Sequence, residues 1–285
     1  MNLYDIRNKI NEIITEKQKE LQLTFDEESH TYTMIDENGN IRNNWMSVSK
    51  VLKKFYEEFP TEEISLKKAK GDLVEQQRLL DEWKAAGEYS TNMGSRVHYF
   101  LEKKSHEIFN IIKEVRKPEF DCDFTQILKG DSMINAGTNF LKLMQERGAV
   151  LLNTEITLGS NILNYVGTPD KVWLIESKDK KSVGLIITDY KTNKPKNFEE
   201  NQFTKRMKPP FQKHPDNALG HYFLQLPFYG KLLKEMLKGS KYSDIKIFGC
   251  IIVLLKENSE FEEFRVPKEV LDTILSMDIQ KYLSY

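Results

Sequence analysis

Val183-Gly184-Leu185-Ile186-Ile187-Thr188-Asp189-Tyr190-Lys191 is the stretch on which the fold turns. Its aliphatic run, preceded by the charged turn Glu176 to Lys181, predicts a buried strand over Val183 to Tyr190 whose charged end emerges at the sheet edge. Side chains two apart on a strand share a face, so Asp189 and Lys191 project together while Tyr190 turns away. A carboxylate beside an ammonium suits metal-assisted hydrolysis. The first binds a cation, and the second orients or deprotonates a water and balances charge. The same tripeptide spacing also describes an ordinary surface ion pair.

Working outward, two more strands are expected before it, Val150 to Leu158 and Ile162 to Ile175, separated by Gly159-Ser160-Asn161. A helix over Ser132 to Arg147, stopped by Gly148, precedes them. After Thr192 comes a long loop with Pro195, Pro209, Pro210 and Pro215. Then follow a helix over His221 to Lys238 with an awkward Pro227, an apolar strand over Ile245 to Leu255, and a closing helix over Pro267 to Leu283. The order helix, three strands, helix, strand predicts an α/β fold with a mixed sheet flanked by helices.

The N-terminal part reads differently. Leu3 to Leu21 is a charged amphipathic helix. Phe25, Tyr32, Met34 and Ile41 surround Asp36 to Asn40, a turn between short strands. Ser47-Val48-Ser49 leads into a helix through Val51, Leu52, Phe55 and Tyr56, ending before Pro60. A long helix over Thr61 to Ala86, a break at Gly87 to Asn92, a helix from Met93 to about Lys113 and a connection to Gly130 complete it. Two regions result, 1–131 with a hairpin and helices and 132–285 with the core, joined in one compact unit.

Composition excludes several classes. The chain has 285 residues, 16 Phe and 12 Tyr, enough for a sizeable core. No apolar run approaches the roughly 20 residues that cross a bilayer, so no membrane partner is expected. Met1 to Glu20 is too polar for a signal peptide, and cytoplasmic residence is expected. With two cysteines, Cys122 and Cys250, the chain cannot by itself build a four-thiolate zinc site or iron–sulfur cluster. Cys250 lies in an apolar run and reads as a buried thiol. The net charge is −1, which does not announce a nucleic-acid binder. Lys191, Lys194, Lys196, Lys205, Arg206, Lys208 and Lys213 nevertheless follow one another, either as a solvated loop or as a positive groove wall.

Three further motifs carry chemistry. In Gly167-Thr168-Pro169-Asp170, Gly167 permits close approach and Pro169 blocks ladder pairing, so the strand deforms and Asp170 is aimed at the neighbouring strand end. A hairpin would then bring Asp170 near Asp189 as two hard oxygen ligands; a plain turn aspartate is the alternative. In the helix Gly94 to Glu102, His98 and Glu102 share a face, and His98 is either a ligand or a packed surface residue. On the helix Tyr222 to Tyr229, Gln225 and Tyr229 share a face, or simply belong to an apolar helix bearing one amide.

In sequence order these are Gly-x-x-x-His, Gly-x-x-Asp, Asp-x-Lys and Gln-x-x-x-Tyr. The series resembles the RecB-like branch of the PD-(D/E)XK nuclease superfamily, in the style of stand-alone phage-type and mitochondrial genome-maintenance exonucleases. The resemblance covers about half the chain, and before residue 132 it rests on His98 and the helix entry at Ser47. It implies a restriction-endonuclease-like core, with His98, Asp170 and Asp189 as metal ligands and Lys191 as the catalytic lysine. Glu155, on the first core strand, and Glu102 would support them. Gln225, Tyr229, Arg206, Lys208 and Lys194 would contact nucleic acid, with Phe203 and Phe211 of the loop stacking on bases.

The implied cofactor is Mg²⁺ or Mn²⁺, as one or two ions, without an iron–sulfur cluster. A histidine ligand tilts the preference toward Mn²⁺. Cations beside Lys191 would lower its pKa. The implied function is a metal-dependent exonuclease acting on single-stranded or duplex DNA ends in a bacterial or phage-infected cell. A homo-oligomer or a recombination protein is a compatible partner. Alternatives are a structure-specific or restriction-like endonuclease, a catalytically silent DNA-binding subunit, and an ordinary α/β protein with chance matches.

Overall fold

A computed structural model describes residues 2–26, 29, 31–201 and 204–283. The chain opens with α1 (Leu3–Glu20), whose Ile6, Ile10 and Ile14 recur every four residues and bury one stripe. A small antiparallel sheet follows, β1 (Thr24–Asp26), β2 (Thr31–Ile35) and β3 (Ile41–Arg42). Its turn is the expected one: the Asp36 carboxylate accepts the Asn38 and Asn40 N–H groups, and Gly39 takes the φ of 80° that the turn requires. Next come β4 (Met46–Ser47) and α2 (Val48–Leu52), capped by Ser47 Oγ accepting the Lys50 N–H. The helix stops at Leu52, short of the expected Tyr56, and Phe55 enters the core from a turn.

The expected break at Gly87 to Asn92 is absent. The chain breaks earlier, between α3 (Thr61–Lys68) and α4 (Leu73–Phe109). Lys70 and Gly71 there have φ of 53° and 86°, and Asp72 caps the new helix by accepting the Val74 and Glu75 N–H groups. Gly87 lies inside α4, at the roughly 1 kcal/mol cost of a helical glycine. A loop carrying Pro118 leads to α5 (Phe124–Glu146), which starts eight residues before the expected Ser132 because Asp123 and Gln126 form a capping box. Position 131/132 thus lies within a helix.

The core strands are β5 (Val150–Thr154), β6 (Leu158–Ser160), β7 (Tyr165–Gly167), β8 (Lys171–Glu176) and β9 (Val183–Lys191). Each of the first two expected strands is therefore split. Gly159 and Ser160 are in β6 rather than in a turn, and Thr168-Pro169-Asp170 interrupts the second. α6 (Ala218–Met236) continues through Pro227, and β10 (Lys246–Leu255) follows. β11 (Phe261–Arg265), which was not expected, precedes α7 (Lys268–Ser276) and α8 (Gln280–Leu283), one expected helix divided at Met277.

The main sheet runs β11-β10-β9-β8-β5. β5, β8 and β9 form an antiparallel meander, β10 pairs parallel to β9, and β11 pairs antiparallel to β10, so the sheet is mixed. The detour β6-β7 joins β4 in a separate small sheet. Alternation along the strands feeds two cores. Leu185 and Ile187 face one with α1, α2, α6 and α7, while Trp173 and Tyr190 face the other with α4 and α5. The protein is thus α/β with helices on both faces of its sheet. Elements from both the 1–131 and 132–285 regions contribute to each core. Among the described residues, no helix is long and apolar enough to cross a membrane.

Candidate metal centre

Asp170 occupies the gap between β7 and β8, next to Pro169, which has no N–H to pair. Its backbone carbonyl accepts the Glu155 N–H at 3.0 Å, and its Oδ2 accepts the Tyr190 N–H at 2.8 Å. The deformed strand is thereby stitched to both flanking strands, and the carboxylate is held at the end of β9. His98 reaches the same oxygen from α4, with Nδ1 3.2 Å from Asp170 Oδ2. Its neighbours Val97 and Leu101 are buried, which fixes the helix face that His98 presents.

Glu155 corrects one expectation: it follows the last residue of β5 rather than lying on the strand. Its φ of 43° is in the left-handed region, uncommon for a non-glycine residue. That turn brings its carboxylate into a group with His98 and Asp170, whose donor atoms all lie within 4.8 Å of one another. Such a His/Glu/Asp group can hold a metal ion. Asp189 and Lys191 stand beside it as an ion pair between Asp189 Oδ2 and Lys191 Nζ. The Lys191 ammonium also lies 4.3 Å from the centre of the Tyr222 ring on α6. Among the described residues Asp189 Oδ2 receives no well-aligned hydrogen bond, so it retains acceptor capacity for a cation.

Crowding of carboxylates sets the electrostatics. Burial, then Asp170 and Glu102, pushes the Glu155 carboxyl well above its usual range. Burial and Asp170 together raise Asp189 to about 6. For Asp170 burial is outweighed by His98, Lys191 and Lys171, which hold it low. His98 is opposed by burial but raised by Asp170 and Asp189. Lys191 follows the same pattern, with Asp189 and Asp170 overcoming burial. In the protein alone carboxylates are the nearest charges to Lys191; the lowering expected of it belongs to the site with cations bound. Carboxylates that repel one another at a buried site form the environment a cation stabilises.

No family model matches the chain, and no curated protein matches it.

Behind the centre, Thr154 Oγ1 donates to Glu102 Oε1 at 2.9 Å and lies 2.8 Å from His106 Nε2. His98, Glu102 and His106 therefore form one four-residue-spaced stripe along α4, of which sequence reasoning found the first two. It also missed Lys171. This side chain is 2% exposed, and its ammonium lies 4.4 Å from the centre of the Tyr190 ring. The signal was present as a lysine directly after the candidate ligand, leading into the apolar run Val172 to Ile175.

Gln225 and Tyr229 pair with each other, Nε2 donating to the Tyr229 Oη at 2.9 Å. Tyr229 is buried against Gly167, where an added Cβ would lie 2.6 Å from its ring. Lys194, Arg206 and Lys208 are exposed, Arg206 pairs with Glu200, and Lys208 is anchored through its N–H to the Phe55 carbonyl. Phe211 cannot stack on a base as expected, because it is buried edge-on against Phe55. Phe203 lies outside the described residues.

Proposed function

We propose that the protein is a divalent-metal-dependent nuclease of the RecB-like PD-(D/E)XK type, acting as an exonuclease on DNA ends. One observation carries the reading: His98, Glu155 and Asp170 converge within 4.8 Å beside the Asp189–Lys191 pair. The donors are two carboxylates and an imidazole, which suit Mg²⁺ or Mn²⁺ and favour Mn²⁺. The meander β5-β8-β9, then α6, then β10 parallel to β9 is also the strand order expected of a restriction-endonuclease-like core.

His98, Glu155 and Asp170 would hold the ion, with Asp189 adjacent to it. Bound there, a divalent ion lowers the pKa of water and offsets charge building on a scissile phosphate. Asp189 holds the Lys191 ammonium in place, and Tyr222 covers it from α6. The charged lysine can hydrogen-bond a phosphate oxygen or orient a water beside it. Tyr190 N–H keeps Asp170 from rotating away. DNA as substrate is supported by the loop that leaves β9 directly after Lys191 and exposes Lys194, Lys196, Lys208 and Lys213. Action at ends is the reading that fits the exposed first half of α4, which carries no buried residue before Met93 and would form a wall leading to His98 on the same helix.

End-labelled linear DNA and closed circular DNA, incubated with Mg²⁺ or Mn²⁺ and with an EDTA control, test this reading. Metal-dependent loss of linear DNA alone is expected, with Lys191→Ala reducing the rate by at least about 100-fold. Cutting of circles would replace the exonuclease by an endonuclease. No cleavage of either form would leave a DNA-binding subunit in its place.

A further inference from the structure

We propose that Asn193 is a DNA contact, its side-chain amide donating to a backbone phosphate oxygen, and that Tyr222 is the positioning residue that fixes this amide. The inference rests on the DNA reading above and adds a residue to the surface that holds the strand.

β9 ends at Lys191, but its alternation runs on for two residues. Tyr190 enters the core shared with α4 and α5. Thr192 keeps to that side, its Oγ1 3.4 Å from where a Cβ on Gly94 of α4 would stand. Lys191 and Asn193 turn to the other side, where both meet one residue of α6. The Lys191 ammonium lies 4.3 Å from the centre of the Tyr222 ring, and the Tyr222 hydroxyl donates to Asn193 Oδ1 at 3.0 Å. Asp189, Lys191 and Asn193 therefore form one row of a carboxylate, an ammonium and an amide, at steps of about 6.5 Å.

Only one end of this amide is engaged. Its Oδ1 accepts from Tyr222, while Nδ2 carries two N–H groups that donate to nothing among the described residues. An asparagine in a turn commonly bonds the backbone two residues on, and Asn193 does not. Asn217, which caps α6, is satisfied at both ends. Its Oδ1 accepts the Gly220 N–H, and its Nδ2 reaches the Phe198 and Glu199 carbonyls at 3.4 Å. Phe198, itself 7% exposed, packs edge-on against the Tyr222 ring at 5.9 Å and braces it. The half-buried Asn193 thus holds two N–H donors in a set orientation, between the Lys191 ammonium and the exposed Lys194 and Lys196. A neutral donor among cations suits a phosphodiester, which offers anionic oxygens and has no proton to give.

The full-length protein is titrated into a fluorescein-labelled single-stranded oligonucleotide in EDTA, where anisotropy reads binding without cleavage. Asn193→Ala removes the donor and should weaken binding about tenfold, the scale of a hydrogen bond to a charged group. The slope of log Kd against log salt should stay as in wild type, because no cation is lost. Asn193→Asp separates binding from architecture. It keeps the oxygen that Tyr222 needs but exchanges the donor for a negative charge, so it should bind more weakly than Asn193→Ala with an unchanged Tm. Tyr222→Phe keeps the ring over Lys191 and releases the amide, and its affinity should fall between those of wild type and Asn193→Ala. An Asn193→Asp protein that binds as wild type does would assign the side chain to anchoring the turn and overturn the inference. Asn193→Ala within about twofold of wild type would overturn it as well. Folded wild type that binds no DNA would instead remove the DNA reading itself. Should Asn193→Ala fail to fold, Asn193→Asp still decides.

Discussion

Replacing Gly167 by alanine tests how the fold shapes the candidate site. An added Cβ would lie 2.6 Å from Tyr229 Cε1 and 2.8 Å from Val48 Cγ2. Carbon atoms prefer separations of about 3.5–4.0 Å, so close to 1 Å must be absorbed on each side. Neither neighbour yields readily: Tyr229 is 5% exposed and Val48 1%. Overpacking of this kind costs roughly 1–3 kcal/mol. For a chain of this size that corresponds to a fall in Tm of roughly 3–10 °C. Displacing the Tyr229 ring also moves its hydroxyl from Gln225 Nε2, now 2.9 Å away, so the α6 side of the site should loosen. Denaturant and thermal unfolding of the single variant measure the cost. A double-mutant cycle with Tyr229→Ala, which opens the space, should show coupling of about 1 kcal/mol or more. A Gly167→Ala protein within about 0.5 kcal/mol of wild type, or strictly additive effects, would refute the steric argument.

Tyr190→Phe should stabilise the protein by roughly 1 kcal/mol, since the Tyr190 hydroxyl is buried with no partner among the described residues. Its backbone N–H to Asp170 is unaffected, and a loss of stability in urea unfolding would show that the hydroxyl is satisfied. His106 is held below its usual pKa by burial, with Glu102 opposing. The unfolded chain therefore takes up a proton first as pH falls. Stability should be constant in this respect above the unfolded pKa near 6.5 and decline below it, by at most about 1.4 kcal/mol per pH unit. His106→Gln should flatten that decline between pH 6.5 and 5, and an unchanged slope would assign it to other groups.

Much of the site could be read from local pattern because its parts depend on local rules. The two-residue period placed Asp189 and Lys191 on one face, and they are ion-paired there. Pro169, lacking an N–H, marked the interruption that frees Asp170 to meet Tyr190 N–H. The four-residue spacing of His98 and Glu102 placed both on one side of α4. Long-range placement was harder to see. Nothing local reveals that Glu155 turns back in a left-handed conformation toward Asp170, or that the Lys171 ammonium is buried over the Tyr190 ring. The helix boundaries went astray where capping outweighed glycine. Asp72 and the Asp123–Gln126 box start α4 and α5, while Gly87 passes inside a helix. Phe211 looked available to a base, but loop residues also pack, and it fills the space beside Phe55.

Crystals soaked in Mn²⁺ and measured for anomalous scattering test the central claim most directly. The account predicts one peak bounded by His98, Glu155 and Asp170, with Asp189 adjacent, and its loss in Asp170→Asn. A peak elsewhere, or none at this position at saturating Mn²⁺, would contradict it.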